Sequence, residues 1–450
     1  MAVRQATTEH ITAERTATEH ATTEHATTKH TTAGHLATDH MTTQPLTRQP
    51  VSTRRTAARP GSGQPAPRPL TVLGNPGHRR VTLFAAAARA AGLPEPSVLP
   101  WIDVLRGAYH LPEESVVRIE SPGEDAAVDE LLRGRALGSS YAPTRVEGGA
   151  AWYDGLMNAL RALARVPGVR LLGDPEEIAV MFDKRRAHTL LAAAGVPVPR
   201  ALAGAPVGGW DDLRERLRAA GLRRVFVKPS HGSSASGVVA LEFGPRGQVL
   251  ATTPVELAGG QLHNSLRVRR YRDERQVAEL VDRLAPDGLH VEQWIPKASQ
   301  SGRSADLRVV VIAGRATHAV VRTSAAQPMT NLHLGGARGS LALAREAAGT
   351  AWPVLLETAE RAAACFPNAR MVGVDVLPAA GWRRALVGEV NAFGDLLPNL
   401  TGLPGGPAEG LDTYAAQLAV LHPDALPFPR PHHLNGRPEP ANHAPLEPIR

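Results

Sequence analysis

"MVGVDVLPAAGWRRALVGEVNAFGD", residues 371–395, decides how the chain is read. An apolar, β-branched run carries one carboxylate, Asp375. A Gly-containing turn follows, and a second apolar run carries Glu389 and Asn391 two places apart. Successive strand residues point to opposite faces, so Glu389 and Asn391 share a face while Val390 takes the other. Paired antiparallel, the two runs can bring Asp375 opposite both. Carboxylate and carboxamide oxygens suit a hard cation such as magnesium, which keeps some waters and bridges to phosphate. The competing reading is the polar face of a half-exposed strand. Against it stands the cost of a carboxylate inside an apolar strand without a partner.

Three stretches upstream carry compatible chemistry. In "RRVFVKPSHGSSASGVVALEF", residues 223–243, a β-branched run delivers Lys228 and a Gly/Ser-rich loop spans 230–237. A lysine at a strand end beside a loop of backbone N–H groups can neutralise and cover a polyphosphate. The lysine precedes the glycines and no G-K-[ST] occurs, so this is not a Walker A loop. An ordinary hairpin with a Gly-rich turn would look similar. "LHVEQWIPKA", residues 289–298, is a strand broken at Pro296 and could serve as an interdomain hinge whose backbone reads adenine. "ADLRVVVIAGRATHAVVRTSAAQPMTNLHLGGARG", residues 305–339, opens with Asp306 and Arg308, turns near Gly314 and returns with Arg322. A polar glycine loop containing Asn331 follows. Alternation aims the arginines at one face; the competing reading is a solvated sheet face.

The remainder of the 450-residue chain sets limits. Its net charge of +7 is spread over arginines scattered among Ala, Gly and Pro, with no block of like charges, so a nucleic-acid groove is not expected. The single cysteine, Cys365, excludes a disulfide framework and a multi-cysteine zinc site. It falls in an amphipathic helical pattern and reads as a buried thiol. No apolar stretch approaches a membrane span, and the polar N-terminus has no signal-peptide core, which leads to the expectation of a cytoplasmic protein. From residue 6 the chain runs in five-residue units such as ATTEH, a period matching neither helix nor strand. With the Pro/Gly linker after it, this makes 1–69 an expected disordered segment. Its repeated histidines (His10, His20, His25, His30, His35, His40) could bind transition metals weakly. Residues 70–100 read as a β-loop-α-β unit, and "DPEEIAVMFDKRRAHTLLAAAG" as a helical segment closed by Gly195. The proline-rich end, 423–450, is expected to be loose.

In this order the motifs resemble the ATP-grasp superfamily, and within it the RimK-like peptide and amino-acid ligases. The resemblance covers about 170–400. It rests on Asp306-x-Arg308 followed by Asn331-Leu332-His333-x-Gly335-Gly336, and on Gly373-Val374-Asp375 followed by Glu389-Val390-Asn391. It implies an α/β and α+β chain: a disordered segment 1–69, a small Rossmann-like domain 70–175, ATP-grasp subdomains 176–296 and 297–422, and a tail 423–450. Carried onto this sequence, Lys184 and Lys228 would touch the nucleotide phosphates. The loop with Ser230, Gly232, Ser233, Ser234 and Gly237 would be the lid. Glu292, Gln293, Trp294 and Ile295 would hold adenine through backbone groups, and Asn331 would sit near the phosphates. Arg308 and Arg322 would stabilise the transferring phosphoryl group. Asp375, Glu389 and Asn391 would bind magnesium, two ions, with manganese a substitute. The family's acidic ribose contact has no counterpart between the hinge and Asp306.

The implied reaction is ATP-dependent joining of a carboxylate to an amine. Phosphorylation converts a poor acyl donor into an acylphosphate, which the amine attacks, and fixed cations spread the developing charge. The implied partners are small-molecule or peptide carboxylates and amines, with neither nucleic acid nor membrane, and a homodimer is an open alternative for the assembly. Two rivals use the same nucleotide residues: a small-molecule kinase, and a catalytically silent nucleotide-binding regulator. A metal-binding protein defined by its His repeats is a third.

Overall fold

The computed structural model describes residues 68–138, 142, 144–325, 327–393 and 400–422. The five-residue repeat and the proline-rich end fall outside the described residues. The first described elements are β1 (Leu70–Gly74), α1 (Arg79–Ala90), β2 (Ser97–Pro100), α2 (Trp101–Arg106), β3 (Val116–Ile119), α3 (Ala126–Leu132), α4 (Gly149–Ala164) and β4 (Arg170–Leu171). The strands form an all-parallel sheet in the order β2-β1-β3-β4. Parallel pairing requires a crossover between neighbours, here supplied by helices whose apolar faces cover the sheet. The β-loop-α-β reading of residues 70–100 is therefore observed.

Two helices follow where the sequence suggested one. α5 (Pro175–Phe182) and α6 (Lys184–Ala193) are separated at Asp183. Asp183 adopts an extended conformation, and its carboxylate accepts hydrogen bonds from the N–H groups of Arg185 and Arg186 at 3.0 and 3.2 Å. An aspartate can start a new helix by capping it, with no proline or glycine to announce the break. The new helix begins at Lys184, one of the candidate phosphate residues.

The next lobe contains α7 (Trp210–Ala219), β5 (Arg224–Pro229), β6 (Val239–Phe243), β7 (Val249–Ala258), β8 (Gln261–Tyr271), α8 (Glu274–Leu284) and β9 (Leu289–Gln293). Its sheet is antiparallel, ordered β8-β7-β6-β5-β9. Alternation divides β5 between two faces. Val225 and Val227 are fully buried with Leu213 and Leu217 of α7 and Val277 and Leu280 of α8, which sends Phe226 and Lys228 to the opposite face.

The last lobe contains β10 (Ser299–Gln300), β11 (Arg303–Ile312), β12 (Arg315–Ser324), β13 (Ala337–Arg338), α9 (Leu341–Ala348), α10 (Trp352–Ala364), β14 (Met371–Pro378), β15 (Ala385–Asn391) and, after the undescribed 394–399, α11 (Thr413–Leu421). The sheet runs β13-β12-β11-β14-β15, with β10 also paired to β11. Along β11, Ala305, Leu307, Val309 and Val311 join a core with Leu355 and Ala359 of α10. The alternate residues Val310 and Ile312 pack with Phe84 of α1 and Leu418 of α11, while Asp306 and Arg308 occupy the same face nearer the strand's start. One strand thus binds the parallel-sheet unit at one end and carries charge at the other. Cys365 caps the C-terminus of α10 and is half-buried, less enclosed than its helical pattern suggested. Burial pushes its thiol pKa up. Among the described residues no helix is long and apolar enough to cross a membrane.

Candidate active site

Register sets the site. β14 and β15 pair antiparallel with Asp375 facing Glu389 and Gly373 facing Asn391. β11 lies on the other side of β14, placing Arg308 opposite Asp375, and β12 places Arg322 opposite Asp306. Five charged residues therefore converge from four strands. Arg308 makes a two-pronged contact with Asp375: Nε donates to Oδ1, and Nη2 to Oδ2 at 3.3 Å. Arg322 bridges two acids, donating from Nε to Asp306 Oδ1 at 2.8 Å and reaching Asp375 Oδ2 at 3.1 Å with Nη2. Asp306 also receives Lys297 Nζ at 3.2 Å and the Thr330 hydroxyl.

Asp375 is only 8 % exposed and Asp306 3 %. Burial alone would raise both carboxyl pKa values, but the guanidinium groups outweigh it and hold both below the ordinary range. Burial works equally against the charge on Arg322; Asp306 and Asp375 overcome it and push its pKa higher still. The charged face expected for these arginines is present, but it is enclosed and paired, unlike a solvated sheet face.

The lysines face the same region from the first residue of α6 and from β5 of the other lobe. Lys184 Nζ lies 3.0 Å from Glu389 Oε1 and donates to the Gly232 carbonyl at 2.6 Å. Lys228 Nζ lies 2.6 Å from Glu292 Oε1, and His290 Nε2 is 3.0 Å from Oε2 of the same carboxylate. Glu292 is 3 % exposed; burial would raise it, yet Lys228 and His290 hold its pKa at about 2. Lys228 is raised in turn: burial opposes its charge, and Glu292 and Glu389 prevail.

The loop from 230 to 237 joins β5 to β6 as a hairpin connection. Ser233 and Ser234 are exposed at its tip, and Ser234 takes a left-handed backbone conformation. Gly237 is tightly enclosed: a Cβ there would lie 2.5 Å from Pro229. Ser230 has a buried hydroxyl without a hydrogen-bond partner. Asn331 caps a short 3-10 turn over Leu332–Leu334, its Oδ1 accepting from the His333 N–H at 2.9 Å, which leaves Nδ2 as the donor it can offer.

The 292–295 segment narrows the adenine expectation. The Gln293 N–H donates to the Arg200 carbonyl at 2.8 Å and the Trp294 N–H to that of Arg224 at 3.0 Å, so both are committed within the protein. Glu292 contributes its side chain to Lys228, a role the sequence reading did not give it. Also missed as a group were Lys297, Thr330 and His290, brought in by pairing between distant segments. Asp306 carried a usable signal, since its two-residue spacing from Arg308 puts both on one strand face.

The oxygen set of Asp375, Glu389 and Asn391 fits a hard cation in chemistry and register. Asn391 Nδ2 donates to the Gly373 carbonyl at 3.3 Å, leaving Oδ1 as its metal-suited atom. Among the described residues no group of three or more His, Cys, Asp or Glu side chains forms a metal cage.

No family model matches the chain. Over 239 residues it is 28% identical to the tetrahydromethanopterin:alpha-L-glutamate ligase of Methanosarcina acetivorans, an alignment covering 52% of this chain and 61% of that protein. The chain thus spans about three fifths of that relative's length. Similar solved structures include the ATP-grasp ligase PsnB complexed with a minimal precursor, at TM-score 0.45 and 17% identity, covering 79% of this chain and 98% of that one. The D-cycloserine synthetase DcsG gives TM-score 0.45 and 16% identity over 73% and 93% of the two chains. The D-alanine–D-alanine ligase from Bacillus anthracis gives 0.42 and 12% over 80% and 97%. Two antiparallel-sheet lobes thus contribute lysines, arginines and carboxylates to one charged region, and the chain's sequence likeness, over part of its length, is to a ligase.

Proposed function

We propose that the chain is an ATP-dependent carboxylate–amine ligase of the RimK-like kind. The observation that carries the proposal is the buried network in which Arg308 and Arg322 hold Asp375 while Lys184 holds Glu389. These cations are neutralised by the acids that would otherwise ligate metal. Magnesium on Asp375, Glu389 and Asn391, two ions being the expected load and manganese a substitute, would supply a counter-charge to phosphate. The same exchange would turn Lys184, Arg308 and Arg322 toward the phosphates. Binding nucleotide with metal would then replace one set of ion pairs by another without leaving a buried charge alone.

In the reaction proposed, a substrate carboxylate oxygen attacks the γ-phosphorus of ATP and ADP leaves. An amine nitrogen then attacks the acyl carbon, phosphate leaves, and the nitrogen loses a proton. Arg308 and Arg322 stabilise the charge on the phosphoryl oxygens, Lys184 and Lys228 orient the phosphates, and the 230–237 loop excludes water. Asn331 offers Nδ2 to the same oxygens. The substrates are proposed to be a small-molecule or peptide carboxylate and an amine.

The test is a screen for phosphate release from the full chain with magnesium-ATP and pools of acids and amines. Equal ADP and phosphate with an amide product supports the proposal. A stable phosphorylated product without free phosphate would favour a kinase, and failure of wild-type protein to bind magnesium-ATP would overturn the nucleotide reading altogether.

A further inference from the structure

The glycine-rich loop is held at its root by a helix outside both antiparallel lobes. The His231 ring stacks on Tyr153 of α4, with centroids 4.0 Å apart and planes 16° from parallel. His231 Nδ1 donates to the Phe182 carbonyl at 3.3 Å. The Tyr153 hydroxyl donates to the Ala179 carbonyl at 3.2 Å and lies 3.4 Å from Arg186 Nη1, so the ring's position is fixed by α5 and α6. The loop backbone also lies close to the first turn of α4, where a Cβ on Gly149 would come within 3.0 Å of the His231 carbonyl. That turn is itself tied to the lobe carrying the loop. Asp287 accepts from the N–H groups of Gly148 and Ala150 at 2.7 and 3.2 Å, and the adjacent Gly288 carbonyl accepts from the Ser230 N–H at 3.0 Å.

We infer that Tyr153 is a positioning residue for the phosphate-covering loop. Stacking fixes His231, and His231 fixes the adjoining Gly232, whose carbonyl receives Lys184 Nζ. Tyr153 therefore sets where the loop begins and where a candidate phosphate lysine points, without touching the nucleotide. The nucleotide part of this inference rests on the ligase reading; the claim that Tyr153 holds the loop does not.

Two measurements on the full chain separate these parts. The first is hydrogen exchange across residues 230–237 in nucleotide-free protein. Tyr153→Ala is expected to speed exchange there, and Tyr153→Phe, which keeps the stacked ring but loses the hydroxyl's bonds to Ala179 and Arg186, to speed it less. Unchanged exchange in Tyr153→Ala, or equal acceleration throughout the chain, would overturn the inference.

The second is affinity for the magnesium complex of a non-hydrolysable ATP analogue, measured beside AMP. Loss of an aromatic stack is expected to weaken the analogue about fivefold and AMP little, because on the ligase reading only the analogue's outer phosphates would lie under the loop. Equal weakening of both would show general damage and refute the positioning role. If wild-type protein binds neither, the ligase reading fails, while the exchange result still decides whether Tyr153 holds the loop.

Discussion

Replacing Asp375 by asparagine should improve one kind of binding while abolishing another. Asp375 lies buried between Arg308 and Arg322, in contact with both. Each unit-charge contact near 4 Å is worth about 4 kcal/mol at an effective dielectric of about 20, and most of it is offset by desolvation. Asparagine keeps the shape and removes the charge. Both guanidinium groups then lose one counter-ion, and the folded protein is expected to lose about 3 kcal/mol of stability. A polyphosphate can supply the missing negative charge without first displacing a carboxylate. If about 1.4 kcal/mol of the released interaction is recovered, metal-free ATP should bind Asp375→Asn about tenfold more tightly than wild type. The gain from adding magnesium should largely vanish, since a ligand carboxylate is gone. Calorimetric titration of ATP in EDTA and in magnesium measures both effects on the same preparations. Metal-free binding no tighter than wild type would refute the claim that Asp375 competes with phosphate for the arginines. Magnesium enhancement equal to wild type would refute its role as a ligand.

Three further outcomes are expected. Glu292→Gln leaves the Lys228 ammonium buried without the carboxylate it touches and should cost about 3 kcal/mol, read from the shift in urea midpoint; an unchanged midpoint would show that the pair adds nothing net. Glu292 has a folded pKa of about 2 against an ordinary 4.5, so the unfolded chain binds the proton more readily. The stability from this group is therefore complete above the ordinary value and lost as pH falls toward about 2, and Glu292→Gln should flatten the acid limb of a thermal-midpoint profile. At Gly336 a Cβ would lie 2.6 Å from the Asn331 carbonyl and 2.7 Å from that of Thr330, both backbone atoms. Gly336→Ala should cost about 1–3 kcal/mol and weaken magnesium-ATP binding, whereas wild-type affinity would show that the loop can shift without consequence.

Much of the site could be read because it lies on strands. Asp306 with Arg308, and Glu389 with Asn391, are each two residues apart, and a short turn between apolar runs makes antiparallel pairing the natural expectation for Asp375 and Glu389. Lys228 was legible for the same reason, since alternation with Val225 and Val227 settles its face once those valines are buried. What escaped depended on contacts between segments far apart in the chain. The break at Asp183 needs only a side chain turned back on its own backbone, which leaves no mark in hydrophobic periodicity. Lys297 acquires its meaning from Asp306 and Thr330, and Tyr153 from a histidine 78 positions downstream in sequence that folding stacks against it. The occupied N–H groups of Gln293 and Trp294 depend on Arg200 and Arg224, whose carbonyls no local pattern places beside them.

The two-sided use of β11 bears on how this chain can change length. From Ala305 to Ile312 the odd positions lie under α10, Val310 and Ile312 lie under α1 and α11, and Asp306 and Arg308 enter the charge network. Inserting or deleting one residue within that segment would exchange the two sets, sending both charged side chains into the apolar layer and leucine and valine toward the phosphate site. Point substitutions disturb one side at a time; a frame change disturbs both. Natural relatives are therefore expected to place their gaps in the Ala313–Gly314 turn, and engineered insertions are best made there.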